Sequence, residues 1–226
     1  MGLTIHWSFH LPAEAKNAAP AEHDDSLMLF ELPPVESEVP VASAEDALSA
    51  LRSAALDLGF AGVSEMYRIS REPERGTIAG WVWSGAQRSI FVAGERIEVA
   101  PIEILGFDVE PGEGCETACF WLARYPATVW VPGLRSRRVR TELSGWYSDD
   151  FCKTQYASNH GMENFLRSHV SLVRILDLAR TMGFLTQVHD EGRYWTKRDQ
   201  SDLANECEDW NRCLAAFFVS VARSAS

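Results

Sequence analysis

Cys152, His189 and Asp190 are the residues whose types and order could supply a nucleophile, a base and an orienting carboxylate. A thiol attacks as thiolate, and a helix N-terminus just after Cys152 would favour that form. A strand over residues 184–188 would end at His189 and bring its imidazole forward. Against this, no cysteine-hydrolase signature surrounds Cys152, and the neighbouring Asp149 and Asp150 would raise a thiol pKa rather than lower it. His169 falls on the apolar stripe of a helix, where a histidine is usually a core residue bonded to a neighbour.

Carboxylates offer a second chemistry. Asp149, Asp150, Asp190, Glu191 and Asp199 would suit a hydrolase or metal-dependent site if segments 144–156 and 188–199 abut in space. Cys115 and Cys119 have a spacing used in structural zinc sites, but no second pair matches them. Cys152 or His160 would have to complete such a set. His6 and His10 share a strand face, with His23-Asp24-Asp25 nearby in sequence, yet they run into a loop and read better as solvated polar residues. Gly112-Glu113-Gly114 lacks the lysine and the strand–loop–helix setting of a nucleotide loop. No cofactor and no metal is expected from these patterns.

The same two segments are crowded with aromatics among charges: Trp146, Tyr147 and Tyr156 in one, Tyr194, Trp195 and Arg198 in the other. They read as one binding surface for a protein partner. Arg135, Arg137, Arg138 and Arg140 stand together in an acidic chain. They either guard a strand edge or dock an acidic partner, the chain's own acidic loop included.

A formal charge of −11 and a pI near 5.0 weigh against nucleic acid and anionic membranes as partners. No signal peptide, lipidation motif or membrane-length apolar run is read. Five cysteines, an odd number in a chain of 226 residues, suit free thiols in a reducing compartment, so a cytoplasmic location is expected.

The elements that must position these residues read as α+β. Residues 3–10 alternate like a half-buried strand. Residues 11–42, rich in Pro, Ala and acids, read as a long loop or insertion, with a short strand over 27–32. Ser43 and Asp46 form a capping box for a helix that stops at Gly59. Strands are expected at 64–70, 77–84, 88–93, 96–99, 102–109, 117–124, 127–131 and 136–143, with turns at Ala93-Gly94 and Pro132-Gly133. Trp81, Trp83, Trp121, Trp130 and Trp210 should be mostly core.

Two later helices span about 162–181, capped by Asn159 and ended by Gly183, and about 201–221, capped by Asp199 or Ser201. The last carries the stripe Leu203, Cys207, Trp210, Leu214, Phe217, Phe218 and Val221, expected to pack on the sheet. The whole, 1–226, is expected to be a single α+β domain with a curved, mostly antiparallel sheet packed by about three helices.

The blocks at 111–116 (PGEGCE), 151–158 (FCKTQYAS) and 190–195 (DEGRYW) resemble those of an uncharacterised group of bacterial hypothetical proteins. The similarity covers residues 1–10 and about 45–215. It implies a bacterial cytosolic protein and carries over no activity and no site. The expected function is that of an accessory or interaction protein binding a protein partner, with a hydrolase as the alternative.

Overall fold

The computed structural model describes residues 3–12, 43–70, 84–131 and 137–224. The strand at 27–32, most of the 11–42 segment, Trp81, Trp83, the Pro132-Gly133 turn, Arg135 and His23-Asp24-Asp25 lie outside the described residues.

The first strand, β1 (Thr4–Leu11), is followed by α1 (Ala44–Asp57), β2 (Gly62–Val63) and β3 (Tyr67–Ser70). Next come β4 (Arg88–Val92), β5 (Glu95–Val99), β6 (Glu103–Glu110), β7 (Ala118–Arg124), β8 (Thr128–Val131), β9 (Arg137–Arg140) and β10 (Trp146–Lys153). The chain ends with α2 (Met162–Thr181), β11 (Leu185–Asp190), α3 (Tyr194–Lys197) and α4 (Gln200–Ser224). The main sheet runs β11-β1-β10-β7-β6-β2, with β3 also on β6, and the described pairings are all antiparallel. The α+β architecture is as the sequence predicts, and the sheet is open.

Local sequence accounts for most boundaries. Ser43 caps α1, its side chain accepting from the Asp46 amide at 3.1 Å, and Gly59 ends it at φ +68°, a conformation that favours glycine. Ala93 and Gly94, both at positive φ, make the tight turn between β4 and β5. The cap of α2 differs from expectation. A 3₁₀ turn over Gln155–His160 consumes Asn159, and Gly161, at φ +106°, begins the helix.

The alternation of β1 splits the molecule into two faces. Ile5, Trp7 and Phe9 join Phe107, Phe120 and Leu122 beneath α1 and α2 in the principal core. His6, Ser8 and His10 point the other way. On that second face a smaller cluster, with Ala86, Val99, Ile104, Trp121, Tyr125 and Tyr147, is covered by the β4–β5 region. Leu3, Phe165, Leu203 and Cys207 form a third cluster that seats the start of α4.

Three expectations need correction. Residues 146–153 form a strand at the heart of the sheet, between β1 and β7, rather than a surface segment. The α4 stripe does not pack on the sheet along its length. Leu203 and Cys207 are buried and Trp210 is half-buried, whereas Phe217, Phe218 and Val221 are exposed. Trp130 also departs from the core expectation, being exposed on β8. No described helix is long and apolar enough to cross a membrane.

Candidate functional site

β1 is the spine that brings the two aromatic-polar segments together. Ile5 is the cross-strand neighbour of Cys152 on one side and of Asp190 on the other. Residues 146–156 and 188–199 therefore meet at one end of the sheet, on the two flanks of β1. What they enclose there is buried and polar. His169 of α2 is fully buried, with Nδ1 2.8 Å from Thr154 Oγ1 and Nε2 3.1 Å from Asp190 Oδ1. The Nε2 contact is at ion-pair distance but off the line of a good hydrogen bond, so its attraction is chiefly electrostatic.

Asp190 is held from several directions. Burial alone would raise its pKa, but the His169 imidazole 3.1 Å away, with backbone donors, brings it below the usual carboxylate range. Those donors are the amides of Trp195 at 2.7 Å and Gly192 at 2.8 Å. Thr154 and Gln155 amides both donate to the Leu3 carbonyl, and Glu191 accepts from the Thr4 amide at 2.9 Å. The arrangement ties the chain's first strand to its last third. Thr154, His169 and Asp190 are all screened from solvent, so the linkage is buried.

The proposed set Cys152, His189 and Asp190 is not brought together. Cys152 faces the core and donates to the Glu116 carbonyl at 3.2 Å; burial pushes its thiol well above the ordinary range, which keeps it protonated. His189 points to the opposite face of the sheet, beside His6. Asp190 is engaged with His169. The other carboxylates do not converge either: Glu191 holds Thr4, while Asp199 caps α4 through the amides of Ser201 and Asp202.

The expected binding aromatics divide by exposure. Trp195 is 8% exposed and packs in the core; Tyr147 is buried against Tyr125, and Trp146 and Tyr194 are half-buried. Arg198 is engaged in a two-pronged ion pair with Asp177, at 2.6 and 2.7 Å, and lies 4.8 Å from the Trp195 ring. Both residues flanking α3, Arg193 and Arg198, adopt left-handed backbone, at a cost of about 1 kcal/mol or more each. The Asp177 and Glu206 ion pairs hold them there. Tyr156 remains open, 46% exposed, with the Lys153 ammonium 5.3 Å from its ring.

The opposite face of these three strands carries a row of rings of which Phe151 is the exposed member. His189, His6 and Phe151 are cross-strand neighbours in one row across β11, β1 and β10. The rings of His6 and Phe151 are 5.5 Å apart and those of His6 and His189 6.1 Å. Phe151 is 50% exposed, an unusual position for a phenylalanine in the middle of a sheet. His6 is lowered from its ordinary pKa by burial, opposed by Glu191 and aided by His189, so at neutral pH it is uncharged. Next along this face, Asp149 pairs with Arg88 at 2.7 Å, and Arg88 lies over Tyr147. The missed signal was alternation: Tyr147, Asp149, Phe151 and Lys153 read as one strand face.

Where β10 separates from β7, after only two paired residues, Asp150 turns into the gap. It accepts from Trp121 Nε1 at 2.6 Å and from the Phe151 amide at 2.7 Å. Burial is the largest influence on it; these two bonds offset part of that and Asp108 and Asp149 add to it, raising the pKa to about 6. Tyr67 and Cys119 stand beside Asp108, each raised well above its ordinary value, first by burial and then by Asp108. Carbon-13 NMR of the Asp150 carboxyl is expected to show a midpoint near 6. A native pKa above the unfolded one makes this group's contribution full below about pH 4 and lost as pH rises through about 6. Trp121→Phe removes a donor to the carboxylate and should move the midpoint upward; a wild-type midpoint near 4 would contradict this picture.

Among the described residues, no three His, Cys, Asp or Glu side chains gather as a metal set would. Cys115 lies near the Thr154 carbonyl, its thiol raised to about 11 by burial, whereas Cys119 sits on the opposite sheet face beside Asp108. His10 stacks on Tyr147 at 4.4 Å, away from His6 and His189. Arg137, Arg138 and Arg140 form β9, a two-stranded ribbon with β8, in which Arg138 lies 5.9 Å from the Trp130 ring.

No protein-family model, curated protein or solved structure matches the chain. The functional reading therefore rests on the chain's own geometry.

Proposed function

We propose that this chain is a protein-interaction module whose docking face is the open side of β11, β1 and β10. The observation that carries the reading is the row His189, His6 and Phe151, with Phe151 half exposed. The large apolar ring of Phe151 beside the His6 imidazole, whose pKa burial lowers, suits an uncharged, apolar partner segment, and exposed aromatics are where binding energy concentrates. Lys153 with Tyr156, and Asp149 with Arg88, supply a polar rim. This moves the expected surface from Trp146, Tyr147, Trp195 and Arg198, which are occupied within the fold, to Phe151, Tyr156 and the two histidines. A bacterial cytosolic setting belongs to the same proposal, supported by the five unpaired cysteines and the resemblance of the three sequence blocks.

Affinity capture with the full chain, followed by titration of each recovered protein against wild type and variants, tests it. Phe151→Ala is expected to weaken a genuine partner by about 30-fold, roughly 2 kcal/mol, with an unchanged circular dichroism spectrum. A partner that binds Phe151→Ala and Tyr156→Ala as tightly as wild type would remove this face from consideration.

A hydrolase is the second reading, and it centres on Asp150 in place of Cys152. A carboxyl with a raised pKa beside Asp108 and Tyr67 is suited to general acid–base work. It predicts turnover of an ester, phosphoester or glycoside substrate with an inflection near pH 6, lost in Asp150→Asn. Failure to turn over any of these classes would leave the interaction reading alone.

A further inference from the structure

Of the described histidines, His169 is held by Thr154 and Asp190, His160 is paired with Glu113, and His10 is stacked on Tyr147. His6 and His189 differ. They are directly opposed in the antiparallel register of β1 and β11, with ring centroids 6.1 Å apart. Among the described residues, no hydrogen bond or ion pair engages either ring. Both side chains are partly exposed, and β11 lies at an edge of the sheet. Two imidazoles facing each other across a strand pair, with their nitrogens uncommitted, form a chelating arrangement.

We infer that His6 and His189 together chelate one borderline transition-metal ion, such as zinc, whose remaining positions are taken by water. The geometry is close to what this needs. A tetrahedral zinc bonded at about 2.0–2.1 Å to two imidazole nitrogens holds the ring centres about 5 Å apart. The observed 6.1 Å reaches that by side-chain rotation, with the two strands already in register. Phe151 stands 5.5 Å from His6 on its β10 side, which leaves the β11 side for the ion. Burial, the largest influence on His6, lowers its pKa, so the ring presents a neutral nitrogen at neutral pH, the form that binds metal. Glu191, two residues beyond His189 and so on the same face, attracts positive charge at His6 and acts on a cation in the same sense. Its carboxylate is committed to the Thr4 amide, so it is a neighbouring charge and not a ligand. The Lys153 ammonium, on the β10 side, lies over the Tyr156 ring. Imidazole ligands select zinc, copper or nickel, whereas magnesium and calcium take oxygen. Among the described residues no third His, Cys, Asp or Glu completes a ligand set, so the ion is exchangeable rather than locked in a closed site. When bound it ties the edge strand β11 to β1.

The site shares a face with the proposed docking surface but does not depend on it. Isothermal titration of the full chain with zinc chloride, its thiols kept reduced, tests the inference, with one zinc per chain expected and no uptake of magnesium. In nitrogen-15 NMR the ring signals of His6 and His189 should move together on zinc addition, while those of His160 stay in place. His6→Gln and His189→Gln should each weaken binding by about 100-fold or more, since one imidazole lacks the advantage of chelation. Near-UV circular dichroism of both variants should be unchanged, and the ring signals of the wild type decide the point even if one variant fails to fold. No zinc uptake at tens of micromolar overturns the inference. Equal uptake by wild type and both variants overturns it too, leaving thiol-bound or adventitious zinc only. Loss in one variant alone would place the ion on a single histidine and overturn the chelate. Phe151→Ala should bind zinc as the wild type does, which separates this test from that of the docking surface.

Discussion

Asp190→Ala is expected to cost about 3–5 kcal/mol of folding stability, read as a lower urea midpoint at constant slope. The size follows from what the change strands. The His169 ring, fully buried, loses the carboxylate 3.1 Å away, and the amides of Gly192 and Trp195 lose their acceptor. Native domains have only about 5–15 kcal/mol in hand, so this variant approaches the limit of folding. Asp190→Asn keeps the shape and one acceptor oxygen, and should lose about 2–3 kcal/mol. It also permits a pH test. Asp190 has a native pKa below its unfolded one, so its stabilisation is present above about pH 4 and fades as pH falls through the native value. The gap between wild type and Asp190→Asn should therefore narrow on acidification below about pH 4; a gap that stays constant from pH 7 to pH 3 would contradict the electrostatic account.

The helices that carry this linkage are legible in the sequence because their signals are local. Ser43 with Asp46 and Gly59 bracket α1, the apolar period and Gly183 bracket α2, and His169 on that period reads correctly as a core histidine. Its partners do not read, since Thr154, just past β10, and Asp190, at the end of β11, come from distant stretches that β1 brings side by side. β10 escaped because its alternation is hidden by composition. Trp146, Ser148, Asp150 and Cys152 mix apolar with polar, and so do Tyr147, Asp149, Phe151 and Lys153. A central strand with a half-open outer face, and a gap on its β7 side that takes in a carboxylate, need not follow the usual apolar–polar rule. Trp195 shows the converse error. Neighbouring charges suggest exposure, but its amide binds buried Asp190 and its ring is carried inward with it. In α4 the apolar stripe is plain in the sequence, and only the structure distinguishes the part that docks on the body from the part left exposed.

Phe120→Ala should be as damaging as the loss of Asp190, at about 3–5 kcal/mol, and its comparison with Phe151→Ala tests the two-faced assignment of the sheet. Phe120 is fully buried beneath the helices, its ring stacked with Trp7 at 5.3 Å, Phe107 at 5.4 Å and Phe9 at 6.3 Å. Truncating it opens a cavity bordered by three rigid aromatics that cannot collapse into it, so the cost should lie toward the upper part of that range. Phe151 is the same residue type in a strand next to β7, yet it faces outward and is half exposed. Phe151→Ala should shift stability by about 0.5 kcal/mol or less, since little packing is lost. Urea unfolding of the two variants decides the point. A large loss at Phe151 would mean that its face is packed, removing the basis for docking there. A small loss at Phe120 would mean that the sheet's core face is not the one that α1 and α2 cover. With the expected pattern, one phenylalanine supports the fold and the other is left free to meet a partner.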